Sequence, residues 1–523
     1  MFGMQLLSQG LPRKSLIRQN QEANYQIKSE NTITELEDAK LFRVHNRYPR
    51  KLTMDPNFPK HVCKQLRLIS LYSYKHVWRL SMDFNFCHEL TDQDKNQLAK
   101  VLKGTFAELK QFSFADCTMP RVTTQGYKQL ANALSNLKSL EVLKLKLKLN
   151  RQPEQSFYYL AQNIKKIRHL TQLSIFFPAG DKVNARVITD LAQSILQHTT
   201  SLTVLSFSLF GCANHINEGI SSFTTSLKQL SQLRELKLNF MTVVFLQQSI
   251  TDIMGALQQL NQLTCLKLGL IAIPHLSDDD WQVIAQSIAN LGNLTKLELD
   301  VDSYEVVLSL GKIAASLMQL PRLTSLRLNL SFYNSPYFTD NRWHDFAQSI
   351  AKLTQLSELD LNFAQCKAMS NLAINEVAYI IQSLRLKSLA LDLSRLQKLS
   401  NSNLTVLAQA INRVTTLNKL TLNLAWNYNF DEVGITALIA SIGSLQSLIE
   451  LSLCFDGCAI TTKNLGLLKE ILSQLSNLTR VEIRLYACTQ VTCIEVDDFV
   501  SSLKKLSQVS ELTVQAPSFR KEA

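Results

Sequence analysis

The sequence predicts an α/β solenoid, a single long parallel sheet built from repeated strand–helix units with the helices packed along its outer side. Three observations carry this. First, the phrase LTQLSELDLNF (353–363) returns along the chain as LKSLEVLKLKL (137–147), LSQLRELKLNF (230–240), LGNLTKLELDV (291–301), LPRLTSLRLNL (320–330) and LQSLIELSLCF (445–455). Second, the spacing is regular. With the third leucine of each phrase as anchor, the units fall at Leu80, Phe112, Leu143, Leu173, Leu205, Leu236, Leu266, Leu297, Leu326, Leu359, Leu389, Leu420, Leu451, Val481 and Leu512, about 31 residues apart. Third, the two halves of a unit have different hydrophobic periods, two and 3.6.

The N-terminal residues come first. Of the 523 residues, 1–56 stand outside the repeat and read as a basic tail or cap, with 57–523 forming a solenoid of about fifteen repeats. Residues 1–75 hold 13 Lys/Arg against six Asp/Glu, which supplies most of the net charge of +12. The basic run RVHNRYPRK (43–51) could attract an acidic ligand, although such runs are more often solvated tails. The first residues, MFGMQLLSQGLPRKSLIRQN, lack the apolar segment of about 7–15 residues that an export signal needs. With ten scattered cysteines, that favours reduced thiols and a cytoplasmic setting. No apolar run approaches the ~20 residues of a membrane span.

The strands follow from strict alternation, as in Leu359-Asp-Leu361-Asn-Phe363, where every second side chain enters one buried face. The helices follow from segments such as WQVIAQSIANL (281–291), whose Trp281, Ile284, Ile288 and Leu291 share one face. Capping residues precede them, Ser277-Asp-Asp-Asp280 before Trp281 and Thr91-Asp92 before the helix around 98–102. One strand and one helix cannot bury their apolar faces alone, but stacked neighbours can. Helices are wider than the ~4.8 Å strand spacing, so the expected sheet lies on the inside of a curve, with an arc of roughly 70 Å.

LxxLxLxL followed by a helix resembles the leucine-rich repeat of the helix-bearing, ribonuclease-inhibitor-like class, over about residues 76–515. The resemblance implies a right-handed horseshoe with the parallel sheet on its concave face and the helices on its convex face. It also implies a buried ladder of Asn or Cys just after each strand, for which Cys87, Asn150, Cys212, Cys366, Asn427, Cys458 and Cys488 stand seven residues past their anchors. Cys117 stands two residues early and marks the second unit as irregular. The period of about 31 exceeds the usual 20–29 of the family. Arrays of similar Gln/Asn/Ser/Thr-rich, leucine-heavy wording occur in host-directed bacterial effectors, which work in host cytosol, and in large protist families. Composition does not choose between them.

Catalytic signatures are absent: there is no G-x-S-x-G, G-x-x-x-x-G-K-[ST], H-E-x-x-H or G-x-G-x-x-G. His61 near Cys63 and His88 beside Cys87 form no recognisable nucleophilic pair, and an enzyme is not expected. Cys454, Cys458, Cys488 and Cys493 have near-ligand spacings, but alternation sends them different ways, so neither metal nor cofactor is expected.

Residues between the leucines point into the concave face and carry the functional expectation. Lys144, Lys146 and Lys148 make one strand basic, and Lys237, Lys267 and Arg327 follow. Glu298, Asp300 and Asp302 make another acidic, with Asp360 and Asp392 beyond. Three like charges at alternate positions repel, which solubility alone does not require. Asn239, Asn329, Asn362 and Asn423 share one column, either a polar contact row or a favoured filler. Phe176, Phe210, Tyr333, Trp426 and Tyr486 stand at strand exits, where most are expected to cover the open edge of the core and Trp426 is the contact to test.

The expected function is recognition of a partner protein by the charged sheet and its rims. The alternatives are an anionic ligand, nucleic acid or acidic lipid, on the basic N-terminal region and the Lys144 stripe, or a ubiquitin-pathway adaptor. The acidic middle argues against nucleic acid filling the whole arc, and oligomeric state is left open.

Overall fold

A computed structural model describes residues 51–54, 78–83, 91–106, 108–116, 123–148, 153–178, 183–211, 216–273, 276–302, 306–331, 340–366, 369–396 and 398–516. These residues form two compact units, one ending at Lys398 and one beginning at Leu399.

The first unit contains β1 (Lys51–Met54), β2 (Arg79–Asp83), β3 (Gln111–Asp116), β4 (Val142–Leu147), β5 (Gln172–Phe177), β6 (Val204–Phe210), β7 (Glu235–Met241), β8 (Cys265–Ile271), β9 (Lys296–Asp302), β10 (Ser325–Asn329), β11 (Glu358–Asn362) and β12 (Ser388–Asp392). They pair in chain order and always in parallel. The second unit contains β13 (Lys419–Asn423), β14 (Glu450–Cys454), β15 (Arg480–Arg484) and β16 (Glu511–Gln515), paired the same way. Among the described residues, a helix follows every strand from β2 to β15. No helix among them is long and apolar enough to cross a membrane.

Anchor lies on anchor throughout each unit. Leu80 is opposite Phe112, Phe112 opposite Leu143, and so on to Leu359 opposite Leu389; Leu420, Leu451, Val481 and Leu512 align likewise. A one-residue slip would turn every inward leucine to the other face, so this register is strongly specified. Phe112 is in register, so the second unit is regular in its strand; Cys117 lies outside the described residues. β1 is an addition to the expected fifteen strands. It falls within the segment read as a tail, and its Leu52 sits opposite Leu80 as a further anchor.

The core lies between strands and helices. Trp281, Ile284, Ile288 and Leu291 are all buried, as their helical spacing requires. Ser277 caps that helix reciprocally: its Oγ accepts from the Asp280 N–H at 3.2 Å, and the Asp280 carboxylate accepts from the Ser277 N–H at 2.8 Å. Thr91 is paired in the same way, with Asp94 rather than Asp92.

The fourth position after the anchor is apolar in nearly every unit, as at Leu147, Phe177, Leu209 and Phe240. In β3 it is Asp116, fully buried, and Lys95 from the helix Asp92–Thr105 reaches it at 2.5 Å. The carboxylate is thereby paired rather than stranded.

Candidate partner-binding sheet face

With the anchor and its alternate neighbours inward, the residues one before, one after and three after it lie on the opposite face. Among the described residues no helix covers that face in either unit, and it holds the expected site residues.

On β4, Lys144 is exposed and Lys146 half-buried, and Lys148, just past the strand, is half-buried too. Lys146 Nζ stands 4.9 Å from the centroid of the Phe176 ring, a cation–π contact. Lys148 is held by its backbone. Its N–H donates to the Asp116 carbonyl at 2.8 Å, and its carbonyl accepts from the Tyr127 hydroxyl at 2.8 Å. No carboxylate among the described residues pairs with Lys144, Lys146 or Lys148.

Further along, charges are matched within and across strands. Lys237 pairs with Glu235 of its own strand at 2.7 Å. Glu298 lies between Lys267 at 2.5 Å and Lys296 at 3.2 Å. Burial pushes the Glu298 carboxyl up, but the two ammonium groups outweigh it and hold the group below its usual value. Glu298 is therefore a neutralised member of the face, and β9 is less acidic in space than its sequence suggests. Arg327 Nε approaches Asp360 at 3.4 Å. The Asp302 side chain lies outside the described residues.

The acidic part is centred on Asp360. Burial raises its pKa, Arg327 opposes the rise, and the nearby charges of Glu298, Asp300 and Asp392 add to it. A folded-state pKa above the unfolded one means that ionised Asp360 is penalised in the fold. The penalty is absent below the unfolded value of about 3.9 and complete above the folded value. Asp360→Asn should therefore leave stability unchanged or raised, by up to about 1 kcal/mol at pH 7, and lose that advantage below about pH 4. Urea unfolding at both pH values checks this.

Two members of the asparagine column have a structural role. The side-chain oxygens of Asn362 and Asn423 accept from the N–H groups of Ala364 at 2.9 Å and Ala425 at 3.1 Å, turning the chain as it leaves the strand. Asp392 does the same for Ser394, accepting from its N–H at 3.0 Å and its hydroxyl at 2.6 Å.

Six residues past the anchor, the backbone is left-handed in unit after unit: Gly211, Thr242, Ala272, Gln365, Arg395, Trp426, Gly457 and Ala487 all have positive φ. Several use this turn to donate to the next unit, as Gln365 N–H does to the Ser394 carbonyl at 2.9 Å. Trp426 takes up this conformation although it is bulky, at φ 61°. Its indole lies over Gly457, where a Cβ would come within 2.5 Å of the ring. Glycine thus serves Gly457 twice, through its φ of 68° and the space left for the ring.

Asp456, almost fully buried, organises this rim. It accepts from Arg484 Nη2 at 2.7 Å and from the Tyr486 N–H at 2.8 Å, while its carbonyl accepts from the Trp426 N–H at 2.7 Å. Tyr486 and Tyr428 remain 52% and 75% exposed, so they, more than Trp426, present aromatic surface. Tyr428 escaped the sequence reading because it follows the strand exit by several residues. Phe176 and Phe210 lie together on the first unit's face, 5.1 Å between centroids, and Tyr333 is outside the described residues.

The cysteine ladder is present where it is described. The Sγ atoms of Cys366, Cys458 and Cys488 donate to the carbonyls of Leu330, Leu424 and Phe455 at 2.9, 3.1 and 3.2 Å, each in the preceding unit. Asn427 donates to Leu424 O at 2.9 Å. Burial pushes the Cys458 and Cys488 thiols up to about 12, far from a reactive thiolate. Cys87, Asn150 and Cys212 lie outside the described residues, as do His61, Cys63 and His88.

Repeated strands in register, a helix behind each and a thiol or amide ladder at the turns define a strand–helix repeat scaffold. The repeating unit, one strand and one helix in about 31 residues, has the form of a leucine-rich repeat. No protein-family model and no curated protein matches its sequence. Among solved structures, it is similar to a chain of the yeast Rad7 and Elc1 complex, with 14% identity and TM-score 0.38, covering 94% of this chain and 96% of that one. It is also similar to the leucine-rich repeat-containing protein LegL7 from Legionella pneumophila, with 16% identity and TM-score 0.35, covering 67% of this chain and 96% of that one.

Proposed function

We propose that the protein is a recognition scaffold that binds a partner protein on the sheet face of β7 to β12. The observation that carries this is the crowding of Asp300 and Asp392 around Asp360, whose like-charge repulsion Arg327 offsets. A basic surface on the partner would relieve that repulsion. The strands are already ordered, so little conformational entropy is lost on docking. The fixed pairs Lys267–Glu298–Lys296 border the acidic section and set the register of an incoming surface. Half-buried Met241 and Ile271 at the strand exits add apolar area beside the charges.

No catalytic role is part of this reading. Buried thiols held as hydrogen-bond donors support work in a reducing, cytosol-like compartment.

The test is affinity capture with wild type and Asp300→Lys/Asp360→Lys, followed by calorimetry with the captured protein. The double variant should weaken binding at least tenfold, and the loss should shrink as salt rises. Equal binding by both would sink the assignment to this section.

A further inference from the structure

The sheet face of β3 to β6 has a chemistry different from that of β7 to β12. On β3, β5 and β6 its positions are serine, glutamine, alanine, valine or phenylalanine, and none of the four strands places a carboxylate there. β4 contributes Lys144 and Lys146, and Lys148 follows directly after it, so at strand spacing the three stand about 6.6 Å apart. No carboxylate among the described residues pairs with them, so they repel one another along the strand. At the strand-start end lies a cleft of about 670 Å³ with Lys110, Lys138, Arg168 and His169 in its wall. Its carboxylate, Glu141, is taken by Lys110 at 2.8 Å. Cations therefore run from this cleft along the whole of β4.

Two rings complete the face. Phe176 and Phe210 touch one another, both are half-exposed, and Lys146 stands over Phe176. Lysines spaced on the scale of successive backbone phosphates, aromatic faces within reach and a floor of hydroxyls match what an unpaired nucleic-acid strand requires. A duplex keeps its bases stacked inside and could not use the rings. An acidic protein segment would satisfy the lysines but leave the rings and the hydroxyl floor without a purpose.

We infer that β3 to β6 form a site for a single-stranded nucleic-acid segment of a few nucleotides, with phosphates on Lys144, Lys146 and Lys148 and bases against Phe176 and Phe210. The acidic residues that argue against nucleic acid lie on β9 to β12, so they limit such a ligand to this section without excluding it. The inference is independent of the partner-protein site, since the two use different strands and different variants.

The test is fluorescence anisotropy on the full chain with labelled oligo-U RNA, oligo-dT DNA, a duplex of equal length and a poly-glutamate peptide, over a range of salt. RNA and DNA strands should bind ahead of the duplex and the peptide, and the ratio of RNA to DNA affinity tells which of the two the site prefers. Lys144→Gln/Lys146→Gln/Lys148→Gln should weaken binding at least tenfold and reduce the log–log salt slope by about 2. Phe176→Leu/Phe210→Leu should weaken binding about tenfold while leaving the salt slope unchanged. Unfolding curves matching wild type confirm that both variants fold. Equal binding of poly-glutamate, with indifference to the phenylalanine changes, would overturn the inference in favour of an acidic protein. Strand binding unaffected by the lysine changes, or no strand binding at low salt, would overturn it outright.

Discussion

Lys95→Met alone should destabilise the first unit by about 3–5 kcal/mol, Asp116→Leu alone by a similar amount, and the two together by much less than either. Each single change strands a buried charge. Lys95 and Asp116 are both fully buried, with Nζ 2.5 Å from Oδ2. Burial pulls the Lys95 pKa down and pushes that of Asp116 up, against their mutual attraction. The surroundings offer little to replace a lost partner: Asp116 Oδ1 has no hydrogen bond, and the Tyr127 hydroxyl reaches Oδ2 only at 3.4 Å. The lysine also rests on the Tyr127 ring, 3.5 Å from its centroid. In the double variant, a leucine would simply restore the residue type that Leu147 supplies opposite it. The effect should reach the sheet face, because Tyr127 also holds the Lys148 carbonyl. Urea unfolding, with amide exchange across β3 and β4, measures it. Single variants within about 1 kcal/mol of wild type would mean that water reaches the pair.

That pair shows where sequence reading ended. The strands were legible because anchors and alternation repeat in unit after unit, and β1 escaped because Pro56 follows closely and its phrase, RKLTMDP, lacks the leucine spacing. A charged residue at an inward position of β3 looks like a strand end, and its partner stands 21 residues earlier on a helix rich in polar residues. Periodicity cannot link the two. The neutralisation of Glu298 was legible in principle, since Lys267 and Glu298 hold the same position in successive units. Reading charges along each strand, rather than across the sheet, concealed it. The left-handed turns were not legible from glycine, since only two of the eight are glycine; the recurring turn geometry imposes them. The lysines of β4 were visible in sequence, but the ring pair beside them emerged only when β5 and β6 lay side by side.

Phe207→Ala should cost about 3–5 kcal/mol, whereas Phe207→Leu should cost less than about 1.5. Phe207 is fully buried on β6 and meets Phe177 of β5 at 6.3 Å, Phe240 of β7 at 6.1 Å and Phe223 of the following helix at 5.1 Å. Those rings belong to separate strands and a helix, each fixed by its own hydrogen bonds, so the space left by truncation cannot collapse. Repeat arrays are stabilised by each unit and its contacts with its neighbours. One truncation therefore weakens two interfaces, β5 with β6 and β6 with β7, and should leave distant ones intact. Amide exchange is expected to rise over β5 to β7 well before β10 to β12. The proposed nucleic-acid face would be loosened through Phe210 on the same strand, while the acidic section around Asp360 should keep its partner. If protection instead falls equally from β2 to β12, the first unit unfolds as one body, and changes in either section must then be judged by their effect on the whole.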